Sequence, residues 1–136
     1  MAIIYDKFSI DIWEVIDAAK TKPYGFQPFY PGPGVGGHCI PVDPLYLMWK
    51  VREYDYHSKL IGIADEINSS MPSFIVNKTW KILNKTNKPL KGAKLLIIGV
   101  AYKQDIDDIR ESPALKVLEG LEKEGAIVEY YDPYVP

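Results

Sequence analysis

The chain has 136 residues, 47% of them hydrophobic and 25% charged, the proportions of a soluble globular protein able to build one respectable core or two small ones. Its net charge of -2 offers no basic surplus for phosphate backbones, which argues against nucleic-acid partners, and one cysteine with two histidines cannot make a structural zinc site or a disulfide framework. No apolar run approaches membrane-spanning length and the start lacks a signal-peptide pattern, so a cytoplasmic location without a membrane partner is expected, in keeping with a single unpaired thiol.

Residues 1–8 read as the end of something: Ile3, Ile4 and Phe8 have helical spacing, but the segment is short and begins without a cap. Ser9 is expected to cap a second helix from Ile10 to about Lys20, with Ile12, Trp13, Val15, Ile16 and Ala19 forming an apolar stripe suited to a core. Thr21-Lys22-Pro23 ends it.

From Pro23 to Pro44 the chain spends six of its eleven prolines and five of its ten glycines, the composition of a long ordered loop. Loops of this length in compact domains are usually functional or disordered, and Tyr24, Phe26, Phe29 and Tyr30 argue against disorder. Gly32, Gly34 and Gly37 fit the spacing GxGxxG. That fingerprint needs a strand before the first glycine and a helix after the last, whereas Phe26-Gln27-Pro28-Phe29-Tyr30-Pro31 has no room for a central strand. The loop reads instead as the setting of a nucleophile, the bland alternative being a lone cysteine that is only a small buried hydrophobe. Cys39 follows paired glycines and precedes a helix start in which Asp43 is the expected N-cap and Pro44 the first helical residue. A thiol near a helix N-terminus feels the positive end of its dipole, which suits an attacking sulfur. Asp43 has a capping reading and a chemical one, and both can hold. His38 and Cys39 are neighbours whose side chains point apart, so a Cys-His pair built from them is not expected.

The helix from Pro44 to about Tyr54 is apolar nearly all round, which predicts burial on more than one side. A longer helical pattern starts near Ser58 and continues to Leu83, interrupted at Pro72. Ser69-Ser70-Met71-Pro72 either caps a fresh helix or marks a kink in a continuous one. Residues 85–92 lose apolar periodicity and read as a connector. Lys94 to Val100 is a continuous apolar run, the pattern of a parallel strand covered on both faces. A helix opening at Ser112-Pro113 and closing at Gly125, then a strand from Ala126 to Tyr131, complete one crossover unit. The expected class is α/β: a helical central (dimerisation) domain over residues 1–84, the 85–92 connector, and the beginning of a Rossmann-like parallel-sheet domain over residues 93–136. Two strands make only part of such a sheet, so the chain reads as a piece of a longer protein. Tyr102 and Lys103 follow the first strand and Arg110 precedes the Ser112-Pro113 helix start, where open α/β sheets gather anionic ligands. The carboxylates Asp105, Asp107 and Asp108 are expected to be a solvated surface run.

The run from Phe29 to Leu47, FYPGPGVGGHCIPVDPLYL, resembles the active-site loop of the nucleotide-sugar 6-dehydrogenases, the UDP-glucose/GDP-mannose dehydrogenase superfamily. Gly99-Val100-Ala101-Tyr102-Lys103 with Asp107-Asp108-Ile109-Arg110-Glu111-Ser112-Pro113 resembles the C-terminal signature of the same family, in the same order. The resemblance implies an NAD-dependent oxidation of a UDP-sugar C6 alcohol to the uronic acid by two hydride transfers, through a cysteine thiohemiacetal and thioester. It implies Cys39 as nucleophile and Asp43 as the carboxylate that orders or activates water. Tyr30, Pro31, Gly32, Pro33, Gly34, Val35 and Gly36 would grip the substrate, chiefly through backbone, joined by Tyr102 and Lys103. Arg110 and Cys39 would contact the cofactor, and no metal is implied. His38 and Val42, where UDP-glucose dehydrogenases tend to have Ser and Lys, lean toward the UDP-N-acetylglucosamine and UDP-N-acetylmannosamine branch, with UDP-glucose the alternative substrate. The dinucleotide-binding domain of the family has no counterpart in these residues, so the chain alone is expected to be inactive. A homodimer through the long central helix is the expected assembly. A non-catalytic dimerisation or nucleotide-sugar-binding module is the competing reading, and a free-standing thiol hydrolase lacks a base.

Overall fold

The computed structural model describes residues 1–136 and divides into two compact units, 1–32 and 33–136. In the first, α1 (Ala2–Phe8) is closed by Ser9, whose left-handed backbone (φ 56°) returns its N–H to the last turn. Ser9 therefore ends one helix and does not begin the next, contrary to the sequence expectation. Asp11 takes the capping role: its Oδ1 accepts from Trp13 N at 2.8 Å, and α2 runs Ile12–Ala19 with Ile16 buried. Beyond α2, the Tyr30 ring stacks on Trp13 with centroids 5.1 Å apart.

The second unit begins with the glycine loop and α3 (Asp43–Lys50), continued by a 3-10 turn, Val51–Tyr54. Asp43 is the first helical residue, one place inside the expected cap, and no side chain caps this end. The Cys39 carbonyl accepts instead from Val42 N and Asp43 N, at 3.1 and 2.8 Å. The burial expected around α3 is not met within this chain: Tyr46, Leu47 and Trp49 are exposed.

One helix, α4 (Lys59–Lys85), continues through Pro72. Ser70 Oγ donates back to the Ile67 carbonyl at 2.7 Å, a bond inside the helix, so the serines do not cap a new one. Proline has no N–H to give the Asn68 carbonyl four residues earlier. Pro72 is nevertheless the one buried side chain of α4.

Strand β1 (Lys94–Ile98) pairs in parallel with β2 (Ile127–Tyr131), Leu95 opposite Val128 and Ile97 opposite Tyr130, and α5 (Pro113–Lys123) connects them. Leu90, Val117 and Leu121 are the buried centre, packed by Ile75, Val76 and Leu83 of α4 and by Leu95, Ile97 and Val128 of the sheet. The expectation of a strand covered on both faces is corrected. Alternation along β1 puts Leu95 and Ile97 on the core while Leu96 and Ile98 stay exposed, because a single crossover helix covers one face of a two-stranded sheet. The class is the expected one: helices first, then the opening of a parallel α/β sheet.

Candidate active site

The thiol of Cys39 is free and exposed. Its loop is held by the segment between β1 and α5. Gly37 N donates to the Arg110 carbonyl at 3.2 Å, and His38 Nε2 donates to Asp108 Oδ2 at 2.8 Å. The His38 ring lies 5.8 Å from that of Tyr102, and Tyr102 N donates to the Asp108 carbonyl. Asp108 also receives Arg110 in a fork: Nε lies 3.0 and 3.1 Å from the two carboxylate oxygens and Nη2 lies 2.7 Å from Oδ2. The Arg110 guanidinium, its own backbone N–H and His38 hold the Asp108 carboxyl far below the ordinary carboxylate range. It is therefore ionised and accept-only at neutral pH, which puts the His38 proton on Nε2. Asp108 is not the solvated carboxylate expected: its side chain is only 20% exposed and it joins two loops. An acid two residues ahead of an arginine was the available signal.

Small residues allow this approach. A Cβ on Gly36 would stand 2.8 Å from both the Glu111 carbonyl and the Tyr102 Cβ, and one on Gly37 would stand 2.8 Å from the Tyr102 ring. Gly34, at φ +141°, would place a Cβ 3.1 Å from the Asn68 carbonyl, the one Pro72 cannot serve.

Tyr102 is half-buried in this junction, whereas Lys103, next to it in the chain, and Arg110, further along, are exposed. Asp43 is exposed at the first turn of α3, and Pro33, Gly34, Val35 and Gly36 form the lead-in to the thiol. Tyr30, Pro31 and Gly32 belong to the first unit. There Tyr30 Oη donates to Asp17 Oδ1 at 3.3 Å and accepts from Lys20 Nζ at 3.2 Å. Asp132, which the sequence reading passed over, accepts from Val100 N and Ala101 N at 2.8 and 3.2 Å and so shapes the turn that leads from β1 to Tyr102. An open groove of about 1010 Å³ runs between α3, α4 and the start of α5, lined by Val35, Ile40, Trp49, Ala64 and Pro113 among others. The thiol is not in its lining; the polar junction at Asp108, and not this apolar groove, is where chemistry-bearing groups converge.

The sequence pattern of the UDP-glucose/GDP-mannose dehydrogenase family, central domain, matches residues 1–70, and that of the family's UDP binding domain matches residues 96–136. The chain belongs to the UDP-glucose/GDP-mannose dehydrogenase family. Within it, UDP-N-acetyl-D-mannosamine dehydrogenase of Methanocaldococcus jannaschii is 44% identical over 133 residues, 98% of this chain and 29% of that protein. UDP-N-acetyl-D-glucosamine 6-dehydrogenase of Pseudomonas aeruginosa is 35% identical over 135 residues, 99% of this chain and 32% of the relative. The structure of the UDP-D-ManNAc dehydrogenase from Pyrococcus horikoshii superimposes with a TM-score of 0.87 at 38% identity, covering 99% of this chain and 31% of that one. The chain thus spans about 30% of the length of the family members it matches.

Proposed function

We propose that the full-length protein is an NAD-dependent dehydrogenase that converts the C6 hydroxyl of a UDP-N-acetylhexosamine to the carboxylate. The observation that carries this reading is an exposed thiol in a glycine-built loop, bonded through its neighbours to the segment bearing Tyr102, Lys103 and Arg110. Domains bounded at 1–84 and 93–136, with a connector between, would divide the work between thiol and nucleotide.

Of this chain's residues, Arg110 fits the cofactor, since an exposed guanidinium suits a pyrophosphate; the loop glycines follow no strand and do not form a dinucleotide site. NAD, when bound, supplies the hydride acceptor for both oxidations. Cys39 Sγ adds to the C6 carbonyl of the aldehyde, its proton passing to the carbonyl oxygen, and gives a thiohemiacetal. This restores the tetrahedral C–H that an aldehyde lacks and that a second oxidation requires. Loss of that hydride and of the hydroxyl proton leaves a thioester; water adds, the C–S bond breaks, and the thiol returns with release of the acid. Asp43, one turn beyond the sulfur, orders the water. Pro33 to Gly36 offer backbone to the sugar nucleotide, and Tyr102 and Lys103 meet its diphosphate.

Exposed Leu60, Ile63 and Ile67 along α4 support assembly as a homodimer through that helix. No helix is long and apolar enough to cross a membrane; a cytoplasmic site of action is part of the proposal. The test is the full-length protein with UDP-N-acetylmannosamine, UDP-N-acetylglucosamine and UDP-glucose. Two NADH per sugar with an N-acetylated substrate is expected; one NADH, or none with any of the three, contradicts the reading.

A further inference from the structure

Glycines 34, 36 and 37 leave the approach to Cys39 with little stiffness of its own, and two of them have positive φ, 141° and 96°. Something outside the loop must set where the sulfur stands. Downstream, the Cys39 carbonyl is tied to the first amides of α3. Upstream, beside the close packing of Gly36 and Gly37 on Tyr102, the hydrogen-bonded restraints are the Gly37 bond to the Arg110 carbonyl and the His38 bond to Asp108. Asp108 is thus a shared joint: one carboxylate carries the residue next to the thiol and, in a fork, the arginine assigned to the cofactor.

We propose that His38 is a positioning residue for Cys39: its Nε2–H bond to Asp108 fixes the thiol loop against the loop of Arg110, so that sulfur and cofactor contact share one frame. This rests on the reading of Cys39 as the nucleophile. Both partners are partly solvated, His38 with 46% and Asp108 with 20% of its side chain exposed, and a pair so placed adds little to folding stability. Its effect is on geometry. Misplacing a reacting atom by about 1 Å can cost on the order of 100-fold in rate, whereas the alcohol oxidation that precedes sulfur addition does not use the thiol. Loss of His38 therefore slows capture of the aldehyde more than it slows the aldehyde's formation.

The experiment uses the full-length protein with NAD, UDP-N-acetylmannosamine and hydroxylamine as an aldehyde trap. Wild type is expected to give two NADH per sugar and no oxime. His38→Ala is expected to lower uronic acid formation by about tenfold or more, to drop the yield toward one NADH per sugar and to release oxime, with an unchanged unfolding midpoint. His38→Gln, whose amide N–H reaches the same acceptor, recovers most of the second oxidation. The proposal is overturned if His38→Ala makes uronic acid at the wild-type rate without oxime, if Gln is as poor as Ala, or if both oxidations fall together with the unfolding midpoint. Cys39→Ser serves as the control. Uronic acid from that variant overturns the nucleophile reading and the proposal with it, while an inactive Cys39→Ser beside a fully active His38→Ala overturns the proposal alone.

Discussion

At the scale of single residues, the junction around Asp108 makes stability respond to acid. The carboxyls of Asp108, fixed chiefly by Arg110, and of Asp132, fixed by the Tyr134, Val100 and Ala101 amides, are both lowered in the folded state. Their contributions are therefore complete above the unfolded carboxylate pKa of about 3.9 and are lost as pH falls below it. Urea midpoints measured from pH 6 down to pH 3 should decline, and Asp108→Asn and Asp132→Asn should each flatten the decline; an equal slope in all three proteins contradicts the assignment. Gly36→Ala should cost about 1–3 kcal/mol, because the added carbon meets the Glu111 carbonyl and Pro113 at 2.8 and 2.9 Å and only backbone can yield. Gly92→Ala, with open space around it and φ +80°, should cost only the conformational penalty, about 1 kcal/mol, in the same titration. The motifs that hold Cys39, Asp43, Tyr102 and Arg110 are local and so legible in the chain. The bond from His38 to Asp108 is not legible there, since it joins residues 70 apart and each has an ordinary solvated alternative.

At the scale of elements, helix and strand types followed from periodicity, and Pro113 and Gly125 punctuate α5 as their chemistry requires. The misplaced boundary at Ser9 has a local cause: a serine and an aspartate two residues apart are both acceptable caps, and only the left-handed turn at Ser9 decides between them. α4 is continuous through Pro72, whose ring is buried, and helical period alone reveals neither. The small core hangs on α5. Leu121→Ala should lower stability by about 2–4 kcal/mol by opening a cavity where Leu121 meets Leu90 and Val117, read as a shift in the urea midpoint at unchanged slope. A shift below about 0.5 kcal/mol would place the core elsewhere.

At the scale of the whole molecule, apolar residues read as buried in the sequence, above all Trp49 of α3 and Leu96 and Ile98 of β1, lie exposed within this chain. Pattern reports that a face is to be covered; it does not report whether the cover comes from the same segment. If α4 is the dimer interface, Leu60→Asp with Ile67→Asp should shift the full-length protein from dimer to monomer in sedimentation velocity, and an unchanged dimer would move the interface to another face. The role of the sulfur is decided by full-length Cys39→Ser with NAD and UDP-N-acetylmannosamine, with the sugar product identified by mass spectrometry. No uronic acid is expected; uronic acid formed at the wild-type rate would rule out Cys39 as the nucleophile.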